Sequence, residues 1–264
     1  HYRERWWTRS YDGYSWKPRP GAEEEIREVL KDICFSIPDD QYAKLPEKTE
    51  NPIEIVFDKK LREQYRELER EFLLELDNTV EAVNAGVLCG KLLQFCNGAI
   101  YSQEEGEDRL VNPVHNLKLD ALSEIIEESN GQPILLAYQF KHDVARIRKR
   151  FKDAVVMDNT PGVIKQWEKG KIPLLIIHPR SEGRGMGFQH GGHILVLYGL
   201  MWSLREYTQT IKRIWRDGQE HPVMIHRIVA ENSIEDVIYA RLQGHEFTEQ
   251  ELLKSVRISI EENM

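Results

Sequence analysis

The sequence predicts an α/β fold, a mostly parallel sheet flanked by helices, with a largely helical linker region ahead of it. The second half carries five short apolar runs, Ile134 to Tyr138, Val155 to Met157, Leu174 to His178, Ile194 to Tyr198 and Val223 to Val229. Most are followed by helix-like segments, and this alternation is what parallel strands joined by right-handed helical crossovers require. At 264 residues the chain is long enough to bury a substantial core and carry an appendage. Ligands of open parallel sheets sit at the carboxyl ends of the strands. The loops beginning at Gln139, Pro179 and Gly199 are therefore expected to form the working edge.

Residues 1–50 combine aromatic and basic side chains, among them Trp6, Trp7, Tyr11, Tyr14 and Trp16, with Pro18, Pro20 and a short helix near Glu23 to Lys31. They read as a connector that packs on something. In the helical region, 51–115, Pro52 to Phe57 alternates as a strand does, and Asp58 caps a helix running to about Leu76. A second helix is expected from Thr79 to Asn97, then a surface loop over Ser102 to Asn112, rich in Glu, Gly and Asp. Residues 116–264 form the sheet-bearing lobe.

Composition narrows the function. Charged residues make up 30% and hydrophobic residues 41% of the chain, a globular balance. No apolar run reaches the roughly 18 residues that a membrane span needs, and no secretory signal opens the chain, although His1 in place of Met suggests a fragment. Cys34, Cys89 and Cys96 lack CxxC spacing and fit structural thiols in a reducing compartment. A net charge of -8 argues against a grip on nucleic acid by the whole surface. Basic clusters at Arg3 to Arg19, Arg146 to Lys152 and Arg205 to Arg216 leave room for local contacts, although such runs are usually solvated helix faces, the reading favoured for Arg146 to Lys152.

Three patterns mimic ligand sites. Gly86 to Leu92 lacks the glycine spacing of a phosphate loop and has no Ser or Thr after Lys91, so it reads as core helix. Gly183 to Phe188 has Phe188 where a dinucleotide fingerprint needs its third glycine. His178, His190 and His193 match no metal-ligand spacing, and no metal site is expected.

The segment Gln209-Thr210-Ile211-Lys212-Arg213-Ile214-Trp215-Arg216-Asp217-Gly218-Gln219 carries the chemistry. If Ser203 caps a helix to about Trp215 or Arg216, then Gln209, Arg213 and Arg216 share one face at i, i+4 and i+7. Leu204, Tyr207, Ile211, Ile214 and Trp215 would occupy the opposite, buried side. Paired arginines on a rigid element suit a triphosphate, because guanidinium offers phosphate a fixed fork of donors and keeps its charge.

Gln209-x-x-x-Arg213-x-x-Arg216-x-Gly218-Gln219 resembles the sixth helicase motif, QxxxRxxRxGQ, of the Swi/Snf family of superfamily II DNA translocases. Ser181-Glu182-Gly183-Arg184-Gly185-Met186-Gly187-Phe188 resembles that family's fifth motif, with Gly187 where Asn is usual and Phe188 where Leu is usual. Pro133 to Phe140 is like the fourth motif, Trp202-Ser203 opens the motif-six helix, and Leu45-Pro46 with the following strand and Tyr65 resembles the segment between the two lobes. The spacing of the fourth and fifth motifs looks closest to bacterial or phage-type members.

The resemblance implies a RecA-like C-terminal lobe that serves ATP held, with Mg2+, mainly by a first lobe whose GxGKT and DExH motifs are not in this sequence. On its own the chain should then hydrolyse no ATP. Arg213 and Arg216 correspond to γ-phosphate contacts, Arg216 as the arginine finger, and Gln209 to a positioning residue of the nucleotide site. Gly183 and Gly185 would admit close backbone approach to the nucleotide, Arg184 and Lys141 would touch double-stranded DNA without reading its sequence, and Ser181 would either do the same or link the fifth motif to the sixth. The implied setting is the cytoplasm of a bacterial or phage-infected cell. An RNA helicase lobe would normally read HRxGRxGR in motif six, and a docking module that performs no catalysis would make Arg213 and Arg216 dispensable.

Overall fold

The computed structural model describes residues 2–9, 16–31, 45–78, 82–102, 110–157, 162–180, 186–201, 203–242 and 255–261. The chain divides into two compact units, residues 1–44 and 45–264. The smaller contains α1 (Tyr2–Trp6), a β1–β2 antiparallel pair (Trp7–Arg9 with Trp16–Pro18) and α2 (Ala22–Leu30). Arg5 lies over the Trp6 ring at 4.7 Å and Arg3 over Trp16 at 6.0 Å.

The larger unit is built on a six-stranded parallel sheet. Its strands are β3 (Lys48–Ile55), β6 (Ile134–Ala137), β7 (Ala154–Val156), β8 (Leu174–Ile177), β9 (Ile194–Leu197) and β10 (Val223–Ala230), in the order β3-β10-β9-β6-β8-β7. Strands β6, β8 and β9 are buried at every position, which is why they read as unbroken apolar runs rather than alternating ones. β3 has a single sheet neighbour, β10, and so tolerates Pro52, which has no N–H to donate.

Helices α3 (Lys59–Asn78) and α4 (Ala82–Cys96) precede the remaining strands, and α5 (Leu117–Glu128), α6 (Lys141–Arg150), α7 (Val163–Glu168), α8 (Leu204–Ile211) and α9 (Ile234–Leu242) lie between and after them. Asp58 caps α3 as expected, its Oδ1 accepting from Leu61 N at 2.8 Å. Among the described residues no helix is long and apolar enough to cross a membrane.

Several expectations meet a different outcome. The expected loop over Ser102 to Asn112 includes the start of β5 (Val111–Pro113), which pairs antiparallel with β4 (Ala99–Tyr101); residues 103–109 lie outside the described ones. The helix expected from Thr79 to Asn97 is described over Ala82–Cys96, and residues 79–81 lie outside the described ones. The boundary expected at 50/51 runs through β3, a strand of the main sheet. Residues 51–115 also share one core with the sheet-bearing residues 116–264. Phe57, Tyr65 and Phe95 lie in the same apolar core as Leu119, Leu122 and Leu136, and Tyr65 Oη accepts from Ile234 N at 2.9 Å. Side chains far apart in sequence make these joins, and local patterning carries no trace of them.

One buried acid lacks a nearby partner strong enough to keep it charged. Glu69 on α3 is 8% exposed, and burial pushes its carboxyl up to about 7 against the opposing charges of Arg62 and Arg66. A carboxyl whose folded value lies above its unfolded value of about 4.3 binds protons preferentially in the native state. Stability therefore falls as pH rises from there to about 7 and stays low above it. Glu69→Gln should leave stability at pH 4 unchanged and raise it by about 1–3 kcal/mol at pH 8, as urea unfolding at the two pH values would record.

Candidate phosphate-binding cleft

The carboxyl ends of β6, β8 and β9 are level. Ala137 pairs with both Ile177 and Leu197, Tyr138 N donates to Ile177 O at 3.1 Å, and Tyr198 N donates to Ala137 O at 3.0 Å. The loops that leave these strands thus meet at one rim. A cleft of about 670 Å3 opens there, lined by Pro179, Arg180 and Met186 from the β8–β9 connection and by Ser203, Arg205, Glu206, Gln209, Lys212, Arg213 and Arg216 from α8 and the turn after it. That volume is in the usual range for small-molecule sites, about 300–1,000 Å3.

α8 begins where the sequence predicts, with Ser203 Oγ accepting from Glu206 N at 3.4 Å, but it ends at Ile211 rather than near Arg216. The expected shared helical face of Gln209, Arg213 and Arg216 therefore does not exist. Residues after Ile211 enter turns, closed by bonds from Arg213 N to Thr210 O at 3.2 Å and from Gln219 N to Arg216 O at 3.1 Å. Gly218, at φ +85°, holds a left-handed conformation that disfavours side chains. The three residues nonetheless line the same cleft. The turn achieves by a change of direction what a longer helix would have achieved by periodicity.

The two arginines differ. Arg216 is exposed, whereas Arg213 is 7% exposed and donates from Nη2 to Pro179 O at 2.8 Å. Arg213 thus fastens the loop after β8 to the turn after α8, a placement further inside than the outward aim expected of it. Gly187 lies against Arg216: a Cβ there would sit 3.1 Å from Arg216 Nη1 and would clash with Gln189 Oε1. At the position where the family motif has Asn, this chain leaves that space to the Arg216 guanidinium and the Gln189 amide.

Gln219 closes the same joint from below. It is 7% exposed, its Nε2 donates to Gln189 O at 3.1 Å and Gly192 O at 3.0 Å, and its Oε1 accepts from His221 N at 3.0 Å. Trp167 Nε1 adds a bond to Phe188 O at 2.9 Å. In the sequence Gln219 is only the last letter of the Gln209 to Gln219 pattern; its buried amide ties residues 189–192 to the turn after α8.

The apolar side behaves as predicted. Tyr207, Ile211 and Ile214 are buried, and Leu204 and Trp215 pack against the core. Trp215 Nε1 donates to Pro46 O at 2.9 Å, and Tyr207 Oη meets Arg227 Nη1 at 2.9 Å. Arg227, 1% exposed, pairs with Glu50 and so joins α8, β10 and β3. Burial works to raise the Glu50 carboxyl, but Lys48 and Arg227 outweigh it and hold it below its ordinary value.

Two lining residues escaped the sequence reading. Arg180 Nε and Glu206 Oε1 form an ion pair at 2.7 Å within the cleft. Behind them, burial first and the charge of Arg180 second hold the His178 imidazole below its ordinary value, and its Nδ1 accepts from Arg180 N at 3.2 Å. The available signal was position alone: Arg180 is the first cation after β8, and Glu206 sits in the first turn of α8. Ser181, Gly183, Arg184 and Gly185 lie outside the described residues, although their neighbours Arg180 and Met186 both line the cleft. Lys141 is exposed at the start of α6 and is not among the lining residues.

No protein-family model matches the chain. Protein p41 of Acyrthosiphon pisum secondary endosymbiont phage 1 is 35% identical over 263 residues, spanning 96% of this chain and 56% of that protein. The DNA repair and recombination protein RAD54B of Mus musculus is 37% identical over 68 residues, 26% of this chain and 8% of its own. The chain thus spans little more than half of the phage relative and a small part of the other. Among solved structures, the C-terminal part of the Fun30 ATPase domain superposes with a TM-score of 0.58 at 13% identity, covering 83% of this chain and 99% of that one. The Sulfolobus solfataricus SWI2/SNF2 ATPase core in complex with dsDNA gives 0.55 at 15% identity, covering 90% and 52% respectively. The fold is that of the C-terminal, RecA-like lobe of Swi2/Snf2-type ATPases, and the sequence is similar to that of helicases of this type.

Proposed function

We propose that this chain is the second motor lobe of an ATP-dependent double-stranded DNA translocase, and that its cleft receives the γ-phosphate of ATP carried with Mg2+ by a first lobe. The observation that supports this best is the convergence of Gln209, Arg213 and Arg216 on one cleft at the carboxyl rim of a parallel sheet. Charge developing on a transferring phosphoryl group is stabilised by positioned guanidinium donors, and an arginine finger does this without becoming covalently involved. Arg216, exposed and packed on Gly187, is the finger; Arg213, bonded to the β8 loop, sets the cleft wall and lends its charge. Gln209 positions the nucleotide, and Gly183 and Gly185 admit close backbone approach. Ser181, Arg184 and Lys141 contact DNA phosphates irrespective of sequence, as a translocase requires.

The test is ATP hydrolysis by the protein carrying both lobes, measured without nucleic acid and with duplex DNA, single-stranded DNA or RNA. Duplex DNA should stimulate turnover most. Preferential stimulation by RNA would favour an RNA helicase lobe. Turnover that survives loss of the Arg216 guanidinium would leave only a docking role.

A further inference from the structure

Among the described residues lining the cleft, five are cations, Arg180, Arg205, Lys212, Arg213 and Arg216, and one is an acid, Glu206. That acid does not point away into solvent. Its side chain is 22% exposed, its Oε1 holds Arg180 Nε at 2.7 Å, and its Oε2 is enclosed with no hydrogen-bond partner. An enclosed carboxylate oxygen without a donor is costly to keep, so the pair is a poor way to stabilise the fold. It is a direct way to lower the positive potential of a phosphate site.

Resting on the reading of the cleft as a polyphosphate site, we propose that Glu206 is an internal counter-ion that competes with the ligand phosphate for Arg180 and thereby limits how tightly the cleft holds polyphosphate. A guanidinium presents a fork of donors, and the Glu206 contact engages Arg180 through Nε. An arriving phosphate oxygen offers that fork a stronger, more highly charged acceptor. Arg180 then exchanges carboxylate for phosphate, and Glu206 waits beside it to take the guanidinium back as product leaves. A motor that must release its nucleotide in each cycle gains from such a latch, because phosphate is bound against a standing competitor. Glu206 acts through Arg180, as a positioning residue.

The experiment measures the affinity of this chain for inorganic tripolyphosphate by titration calorimetry at low salt, in buffer free of other phosphate. Four forms are compared: the native chain, Glu206→Gln, Arg180→Gln and the double variant. Glu206→Gln keeps the size of the side chain and leaves the backbone N–H to Ser203 in place, and its melting temperature checks that it folds. It should bind roughly three- to fivefold more tightly, the upper part of the range expected when a partly exposed ion pair no longer competes. Arg180→Gln should bind more weakly by a similar factor. In the double variant the gain from removing Glu206 should shrink to about twofold or less, since the two residues act on one interaction.

Equal affinity of Glu206→Gln and the native chain would overturn the proposal, as would a gain that persists in full without Arg180. If those results come while Arg216→Ala still weakens tripolyphosphate binding, the cleft remains a phosphate site and only the latch is lost. If no form binds tripolyphosphate, the phosphate reading falls and the latch with it.

Discussion

If the cleft serves ATP as proposed, replacing Arg216 by alanine should lower ATP turnover by the protein carrying both lobes on the order of a thousandfold, with little change in melting temperature. Both halves of this expectation come from geometry. The Arg216 guanidinium is exposed in the cleft beside Gly187, so its removal leaves no buried partner stranded. On the proposed reading its charge acts on bound phosphate and most strongly as phosphate charge redistributes in the transition state, so the loss should appear in kcat more than in KM. Arg213→Ala should behave differently. That side chain is 7% exposed and bonds Pro179 O, so its loss should cut turnover and also lower stability by about 1–3 kcal/mol, the usual range when a buried acceptor loses its donor. Steady-state kinetics paired with thermal melts separates the finger from the brace. Unaltered turnover in Arg216→Ala would remove the ground for calling this lobe part of a motor.

The largest expected loss of stability lies beneath the rim, where Lys118 and Glu235 pair at 2.6 Å with both side chains fully buried. Lys118 Nζ also donates to Asn97 Oδ1 and Tyr198 O, each at 3.0 Å, while Glu235 Oε2 accepts from Ala230 N at 2.8 Å. Asn97 Nδ2 passes the chain of bonds to Asp143 at 3.0 Å, and Asp143 in turn accepts from Phe140 N at 2.8 Å. The network therefore joins α4, α5 and α9 to the ends of β6, β9 and β10. Lys118→Met should cost about 3–5 kcal/mol, because it leaves a buried carboxylate uncompensated, and lower the melting temperature by roughly 6–20 °C. Adding Glu235→Gln should recover part of that loss.

The pH dependence comes from the direction of the Glu235 shift. Burial raises this carboxyl above its ordinary value, against the opposing charge of Lys118. Without Lys118 it rises further, so the native variant takes up a proton that the unfolded chain does not hold. The deficit of Lys118→Met should then shrink as pH falls toward the unfolded carboxyl value of about 4.3 and grow as pH rises. Denaturant unfolding at pH 5 and pH 8 would check this; a deficit that is the same at both would mean that Glu235 is not the stranded charge.

The identity of the sheet was legible in the sequence. Runs such as Ile134 to Ala137 and Leu174 to Ile177 are apolar on both faces, and only a strand covered from both sides has use for that pattern. Gln209, Arg213 and Arg216, singled out by their spacing, do line one cleft, but a turn rather than the expected helix brings them there. The capping of α3 by Asp58 and of α8 by Ser203 could also be read, because caps act over three residues.

What only the tertiary structure decided is where side chains distant in sequence meet. The end of α8 at Ile211, the burial of Arg213 against Pro179, the Arg180–Glu206 pair and the fully buried Lys118–Glu235 bridge all depend on residues from different elements. Helical and strand periodicity arise from the local backbone and are written in neighbouring letters. The distance between Arg180 and Glu206 across the cleft is fixed only when strands and helices from the whole sheet assemble.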